Sequence, residues 1–353
     1  MPAMGLSFFE AIGLADTERV HSQMLVWMFD SSFLSPAQKS EIVAKLTGIA
    51  ADYSQFSADT EHEGVDVLVQ ADSSIIAIEN KIKCTEHDNQ LTRYEKRLRE
   101  EATSLNLIYL SLCPDTITQP NWTPRTYTAL HRALLPHKFA SPGCFEQFAF
   151  NEYVDVVGSL VEVVEAFDTD HTRFENVFTE GGLTKHAKRN RPSEYPPHQD
   201  FVRRNQLETP LQRYFLMKVR NEIPQASSEW RIEESHGVAL LHVVLVKGPI
   251  GDTQFEWAVQ FQGRTAKLNC SASDYKNSTR DQLPAEVRKV FKEERDRWPG
   301  LHLNDARSKA YISLSKKMDF RWTDSFDCIA ECYRLAYEEH SVIGQRLAAK
   351  FAS

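Results

Sequence analysis

Two apolar segments separated by a short polar step, GVDVLVQ (64–70) and SSIIAIENKI (73–82), constrain this chain most. The first alternates with the period of two that a half-buried strand requires. The second is a nearly continuous apolar run that ends in charge. The step between them, Ala-Asp-Ser, reads as a turn, so the two segments are expected to pair as a hairpin. Helical periodicity surrounds them. DTERVHSQMLVWMFD (16–30) opens on Asp16 or Thr17 as a cap and carries Val20, Met24, Trp27 and Met28 as a stripe. SPAQKSEIVAKLTGIA (35–50) has Ser35 as N-cap and Pro36 at the first position. A helix over 85–102, a strand over 105–112 and a helix over 150–167 follow. Helix, hairpin, helix, strand is the order of an α/β domain, a mixed sheet with helices packed on it.

At 353 residues the chain is expected to hold two domains. Residues 1–180 form the first. The segment 181–206 is polar, basic and rich in Gly and Pro, and reads as a linker or surface loop. Residues 207–353 read as a C-terminal α+β domain. Its helices are expected near 207–222, 283–297 and 324–350, its strands near 229–234, 238–247, 254–261 and 264–270. No run of 18 apolar residues marks a membrane span, and MPAMGLSFFEAIGL does not read as a secretory signal. None of the six cysteines forms C-x-x-C, so they read as reduced thiols of a cytoplasmic protein. Residues 1–180 carry 13 Lys and Arg against 27 Asp and Glu, and the remainder carries 28 against 22. An acidic half suits a cation, and a mildly basic half suits a polyanion.

The charged end of the second strand is the candidate site. Side chains alternate along a strand, so Glu79 and Lys81 share a face with Ala77 while Asn80 points the other way. The hairpin brings Asp66 beside Glu79. Two neighbouring carboxylates repel unless a cation lies between them, and hard oxygen donors suit Mg²⁺ or Mn²⁺. Lys81 then sits where a phosphate oxygen or an attacking water needs a point charge. Gln90 and Tyr94, four residues apart on the next helix, share one face and are able to hold Lys81, a water or a phosphate. This set suits phosphodiester hydrolysis. A plainer reading makes Glu79 and Lys81 a surface ion pair and Gln90 and Tyr94 helix surface. A Glu-x-Lys triplet alone arises roughly two or three times by chance in such a chain. The strand, Asp66 and the helix that follows carry the argument.

Asp66, IENK (78–81) and QLTRY (90–94) together resemble the PD-(D/E)xK nuclease superfamily. The trailing Q-x-x-x-Y is similar to its RecB-like and λ-exonuclease-like branch. ERVHSQMLVWMFD (18–30) is similar to the first helix of a prokaryotic branch that reads E-x-x-H-S. The resemblance covers roughly residues 15–115. It implies a restriction-endonuclease-like α-β-β-β-α-β core, Mg²⁺-dependent cleavage of nucleic acid, and work in restriction, repair or phage defence. It makes Asp66 and Glu79 the metal ligands and Lys81 the catalytic lysine. The Asn80 carbonyl completes the shell, Glu18 is an extra ligand or a supporting group, and Gln90 and Tyr94 assist. Val65 stands where the family's name has proline.

Lys185, Lys188, Arg189, Arg191, Arg203 and Arg204 are candidate phosphate contacts, with Tyr195, Phe201 and Tyr214 nearby for stacking; a solvated linker explains them equally well. RSKAYISLSKK (307–317) is a second basic candidate. The leading expectation is a DNase whose C-terminal half grips the substrate and which is open to homo-oligomerisation. An RNase, or a catalytically inactive binding or assembly module on the same fold, are the alternatives.

Overall fold

A computed structural model describes residues 7–84, 89–101, 104–115, 117, 119–180, 195–223, 229–235, 237–298 and 300–351. The chain divides into two compact units, 1–170 with 185–211, and 171–184 with 212–353.

In the first unit the elements run α1 (Phe8–Ala11), α2 (Glu18–Asp30), α3 (Pro36–Thr47), β1 (Phe56–Thr60), β2 (Val67–Ala71), β3 (Ser74–Lys81), α4 (Gln90–Glu101), β4 (Ser104–Ser111), β5 (Trp122–Thr126), α5 (Tyr127–Leu134) and α6 (Phe145–Thr169). The sheet order is β1-β2-β3-β4-β5. β1, β2 and β3 pair antiparallel, and β3, β4 and β5 pair parallel, so β3 is the central strand where the two patterns meet. The β2–β3 turn is tight because Asp72 takes a left-handed φ of 49°. Its carboxylate accepts from the Ser54 and Gln55 amides, which ties the hairpin to the entry of β1. β5 contains Pro124 and lies at the sheet edge, where a missing N–H is tolerated.

The helices start and stop where their ends are satisfied. Ser35 and Gln38 form a reciprocal capping box on α3, Pro36 opens it, and Gly48 closes it at φ 81°. Lys39 donates to the carbonyls of Phe29 and Ser31, so the last turn of α2 is capped by its neighbour. The buried stripe of α2 is His21, Ser22, Leu25, Met28 and Phe29. It is rotated from the expected one: Val20, Met24 and Trp27 are only half-buried. The turn facing the charged end of β3 buries polar residues that find partners there, which apolar periodicity does not register.

α7 (Glu175–Thr179) belongs to the second unit, and α8 (Pro197–Arg204) to the first. Residues 181–194 of the expected linker lie outside the described residues, and the part beyond them contains α8. Pro197 at its start and buried Phe201 and Val202 explain a helix in a polar stretch. The unit boundary falls inside α9 (Glu208–Asn221). The second unit continues with β6 (Trp230–Ser235), β7 (Val238–Ile250), β8 (Thr253–Gln262), β9 (Thr265–Ala272), α10 (Ala285–Arg297), β10 (His302–Asp305), β11 (Tyr311–Lys317) and α11 (Phe326–Ala348). Its sheet has six strands, in the order β10-β11-β9-β8-β7-β6, all antiparallel. Val287 and Phe291 of α10 and Ile343 and Leu347 of α11 join one apolar core with Phe255, Trp257, Leu268, Ile312 and Leu314. All six cysteines are free, and no described helix is long and apolar enough to cross a membrane.

Candidate active site

β3 sends alternate side chains into two different environments. Glu79 and Lys81 point to the α4 side. There Leu91 and Leu98 of α4 pack with Ala77, Leu107, Tyr109 and Trp122, which fixes the helix over the sheet. Asn80 points to the α2 side. Its amide nitrogen donates to the Glu18 carbonyl (3.1 Å) and to Ser22 Oγ (3.2 Å), and its carbonyl oxygen accepts from the Tyr127 hydroxyl (2.8 Å). Asn80 is fully buried with every one of these groups matched, and it bolts the end of β3 to α2 and α5.

Asp66 stands just ahead of β2, one register step from the Val67–Ile78 pair. One of its oxygens accepts from the Asn80 N–H at 2.8 Å. Glu79 is 1 % exposed. Its Oε1 accepts from Lys81 Nζ (2.5 Å) and from Gln90 Nε2 (2.8 Å), while its buried Oε2 has no hydrogen-bond partner. Gln90 Nε2 also donates to the Tyr94 hydroxyl at 2.7 Å. The Tyr94 ring rests on Gly64, where an added Cβ would lie 2.8 Å from Cε1. The turn before Asp66 is strained: Glu61, Glu63 and Gly64 have φ of 59°, 50° and 87°. Non-glycine residues rarely adopt this conformation outside sites that hold them there.

The electrostatics follow from burial. Desolvation first, and then the charge of Asp66, push the Glu79 carboxyl up to about 7 despite Lys81. Burial likewise raises Asp66, against the Asn80 hydrogen bond and Lys81. Burial alone would lower Lys81, but Glu79, Asp66 and Glu18 outweigh it and hold the ammonium above its ordinary value. Two carboxyls held against their own ionisation, one with an orphaned buried oxygen, are what a divalent cation relieves, so this oxygen donor set fits one. Among the described residues no group of three or more His, Cys, Asp or Glu side chains is gathered for a metal.

Glu18 reaches this site through the backbone. Its Oε1 accepts from the N–H groups of Ile82 (2.7 Å), Lys83 (2.7 Å) and Cys84 (3.2 Å), the three residues that follow Lys81. Lys83 in turn pairs with buried Asp16. Sequence reasoning had no signal for this carboxylate-to-amide nest, for the side-chain role of Asn80 or for Tyr127. His21 is buried against Tyr127 and Tyr153 and bonds the Ala15 carbonyl at 2.9 Å. Burial lowers it to about 4, so it stays neutral as a core residue.

Among the described residues, the basic candidates Arg203 and Arg204 are engaged away from Glu79 and Lys81. Lys185, Lys188, Arg189 and Arg191 lie outside the described residues. Arg203 is buried in α8, its guanidinium 5.5 Å from the Tyr195 ring centre, and Arg204 pairs with Asp200 and lies 4.0 Å from Glu10. Phe201 is core. The buried face of this amphipathic helix takes Phe201 and Arg203 from the surface, while Arg204 stays exposed.

Residues 6–135 match the model of one family, described as the PD-(D/E)XK nuclease superfamily. No curated protein and no solved structure matches the chain. The matched segment contains β1 to β5, Asp66, Glu79 and Lys81. This segment, with its mixed five-stranded sheet and flanking helices, is similar to the PD-(D/E)XK nuclease superfamily.

Proposed function

We propose that the protein is a metal-dependent nuclease that hydrolyses phosphodiester bonds of DNA, with Asp66 and Glu79 as ligands of Mg²⁺ or Mn²⁺. The observation that carries this reading is Glu79. It is a buried carboxyl with an unpartnered oxygen, set between the acid Asp66 and the cation Lys81. When bound, a divalent cation supplies Lewis acidity toward the phosphate and lowers the pKa of water. Lys81 stays protonated, so its part is to stabilise charge that builds on the phosphate oxygens and to orient water, rather than to accept a proton. Gln90 holds Glu79 in its rotamer, and Tyr94, seated on Gly64, holds Gln90. The Asn80 amide orients Asp66. Glu18 fixes the backbone that carries Lys81, and this support favours a positioning role over that of a metal ligand.

The test is cleavage of linear duplex, circular duplex, single-stranded DNA and RNA with Mg²⁺ or Mn²⁺, with Lys81→Ala alongside. DNA cleavage that is lost with chelator and in the variant supports the reading. Cleavage of RNA alone replaces the substrate. Cleavage unchanged in Lys81→Ala rejects the site, and binding without cleavage points to an inactive module on the same fold.

A further inference from the structure

The six-stranded sheet of the second unit has two chemically opposite faces. On β9, Ala266, Leu268, Cys270 and Ala272 are buried on the side where α10 and α11 pack. Lys267, Asn269 and Ser271 alternate onto the other side. On β11, Ile312 and Leu314 join that apolar core, while Tyr311, Ser313, Ser315 and Lys317 lie across from the polar residues of β9. A polar outer face is ordinary for an antiparallel sheet in water. Asn269 is not ordinary. It is 1 % exposed, flanked in register by Ala258 and Ser313, and neither its amide nitrogen nor its oxygen has a hydrogen-bond partner. A buried donor and acceptor left unmatched at the centre of an otherwise regular sheet calls for a ligand.

Charge and aromatic placement say which. Residues 264–280 and 302–317 together carry eight Lys and Arg against two acids, Asp274 and Asp305, in a chain whose net charge is −8. Arg280 and Arg288 take up Asp305. Among the described residues no carboxylate pairs with Lys267, Lys276 or Lys317. Tyr275 is 45 % exposed beside this face, with its ring edge-to-face on Tyr311 at 5.9 Å. Tyr311 is held by a hydrogen bond with Ser313, and Lys267 by Gln262 at 3.2 Å, so single contacts secure the side chains neighbouring Asn269.

We infer that this face, from β9 to β11, is a binding site for single-stranded nucleic acid. An unpaired base stacks on Tyr275, Lys267, Lys276 and Lys317 meet the phosphates, and the Asn269 amide, buried beneath the face, takes the donor and acceptor of a base edge once the single contacts of Tyr311 and Lys267 give way. An amide side chain matches a base edge with one donor and one acceptor, and an exposed aromatic stacks any base. A duplex hides the base face that Tyr275 would stack on and the Watson–Crick edge, so the site selects unpaired strands. Its value to the protein rests on the nuclease reading above, since it would deliver strands to the first unit, but its test does not.

The experiment uses the full chain carrying Lys81→Ala, in chelator, with a fluorescent single-stranded DNA of about 16 nucleotides. RNA and duplex of the same sequence compete. Anisotropy should show single strands bound more tightly than duplex. Tyr275→Ala should weaken binding about tenfold. Lys276→Glu with Lys317→Glu should reduce the slope of log K against log salt by about 1.4, about 0.7 for each phosphate contact to a single strand. Asn269→Leu removes the two orphaned polar atoms, so it should raise the Tm while weakening binding, a pairing that a structural role does not give. Duplex bound as well as single strands, or Tyr275 and lysine variants that bind like the parent with unchanged Tm, would overturn the inference. So would an Asn269→Leu protein that melts earlier and binds normally. A wild-type chain that cleaves DNA while these variants bind like the parent refutes this face alone. One that binds through it and never cleaves refutes the nuclease reading alone.

Discussion

Replacing Glu18 separates two roles that the same carboxylate could play at such a site. Its Oε1 accepts three backbone N–H groups, from Ile82, Lys83 and Cys84. A hydrogen bond to a charged acceptor contributes about 1.5–3 kcal/mol. The three share one oxygen and are not additive, and the Cys84 end is exposed enough for water to replace the carboxylate. Counting the two 2.7 Å bonds at the low end gives about 3 kcal/mol. A carboxylate in the first turn of α2 adds about 0.5 kcal/mol through the helix dipole. Glu18→Ala should therefore cost about 3–4 kcal/mol in urea unfolding. Glu18→Gln keeps the acceptor and loses the charge, and should cost about half of that. Cleavage should track the same order. Alanine should lower kcat strongly because the segment carrying Lys81 loosens, while glutamine should retain most activity and the wild-type dependence on Mg²⁺ concentration. If Glu18→Gln is as inactive as Glu18→Ala and needs much more metal, Glu18 is a ligand and the positioning argument is wrong. If Glu18→Ala unfolds at the wild-type urea concentration, the nest contributes nothing and the energetic reasoning fails as well.

Three further outcomes follow from the same geometry. The folded pKa of Glu79, about 7, lies above its ordinary 4.5, so the folded state holds the proton more tightly than the unfolded chain. Metal-free protein should lose roughly 3 kcal/mol of stability as pH rises through that window; Glu79→Gln should remove that part of the slope, and urea titrations in chelator at pH 5 and pH 8 measure it. Adding Mg²⁺ at pH 8 should raise the wild-type Tm and leave Glu79→Gln nearly unmoved; equal shifts would place the metal elsewhere. Gly64→Ala meets both a left-handed φ and the Tyr94 ring, so it should destabilise by about 1–2 kcal/mol and slow cleavage, with Tyr94→Leu restoring stability but not rate.

Much of the first unit was legible because its strongest signals are local. Alternation over 64–70 and the apolar run over 73–82 announce a hairpin whatever surrounds them, and Ser35, Pro36 and Gly48 mark α3 from both ends. β1 and β5 escaped. FSADT and WTPRT are short and polar, and they become strands by pairing at the two edges of a sheet that other residues build. β10 and β11 escaped as well: HLND is short and polar, and β11 is a basic segment whose partner β9 is distant in sequence. At the site, residue types and spacing named Asp66, Glu79, Lys81, Gln90 and Tyr94, because strand and helix periods place them. The nest around Glu18 and the bonds of Asn80 depend on where α2 and α5 lie against the end of β3, over 47 to 66 residues of separation. No period within a segment encodes such distances.

The alternation of β3 also sets how this chain can decay. Positions 79 and 81 serve only the α4 side; losing the Glu79 charge removes a buried desolvation cost, and Lys81 then loses its nearest partner. Position 80 holds three elements together, so Asn80→Ala strands the Tyr127 hydroxyl in the core. Genetic drift after loss of function would thus erase Glu79 or Lys81 first and spare the asparagine between them. A descendant that keeps Asn80 and lacks its neighbours would carry the scar of a former enzyme, whereas one that keeps all three is still under selection for chemistry.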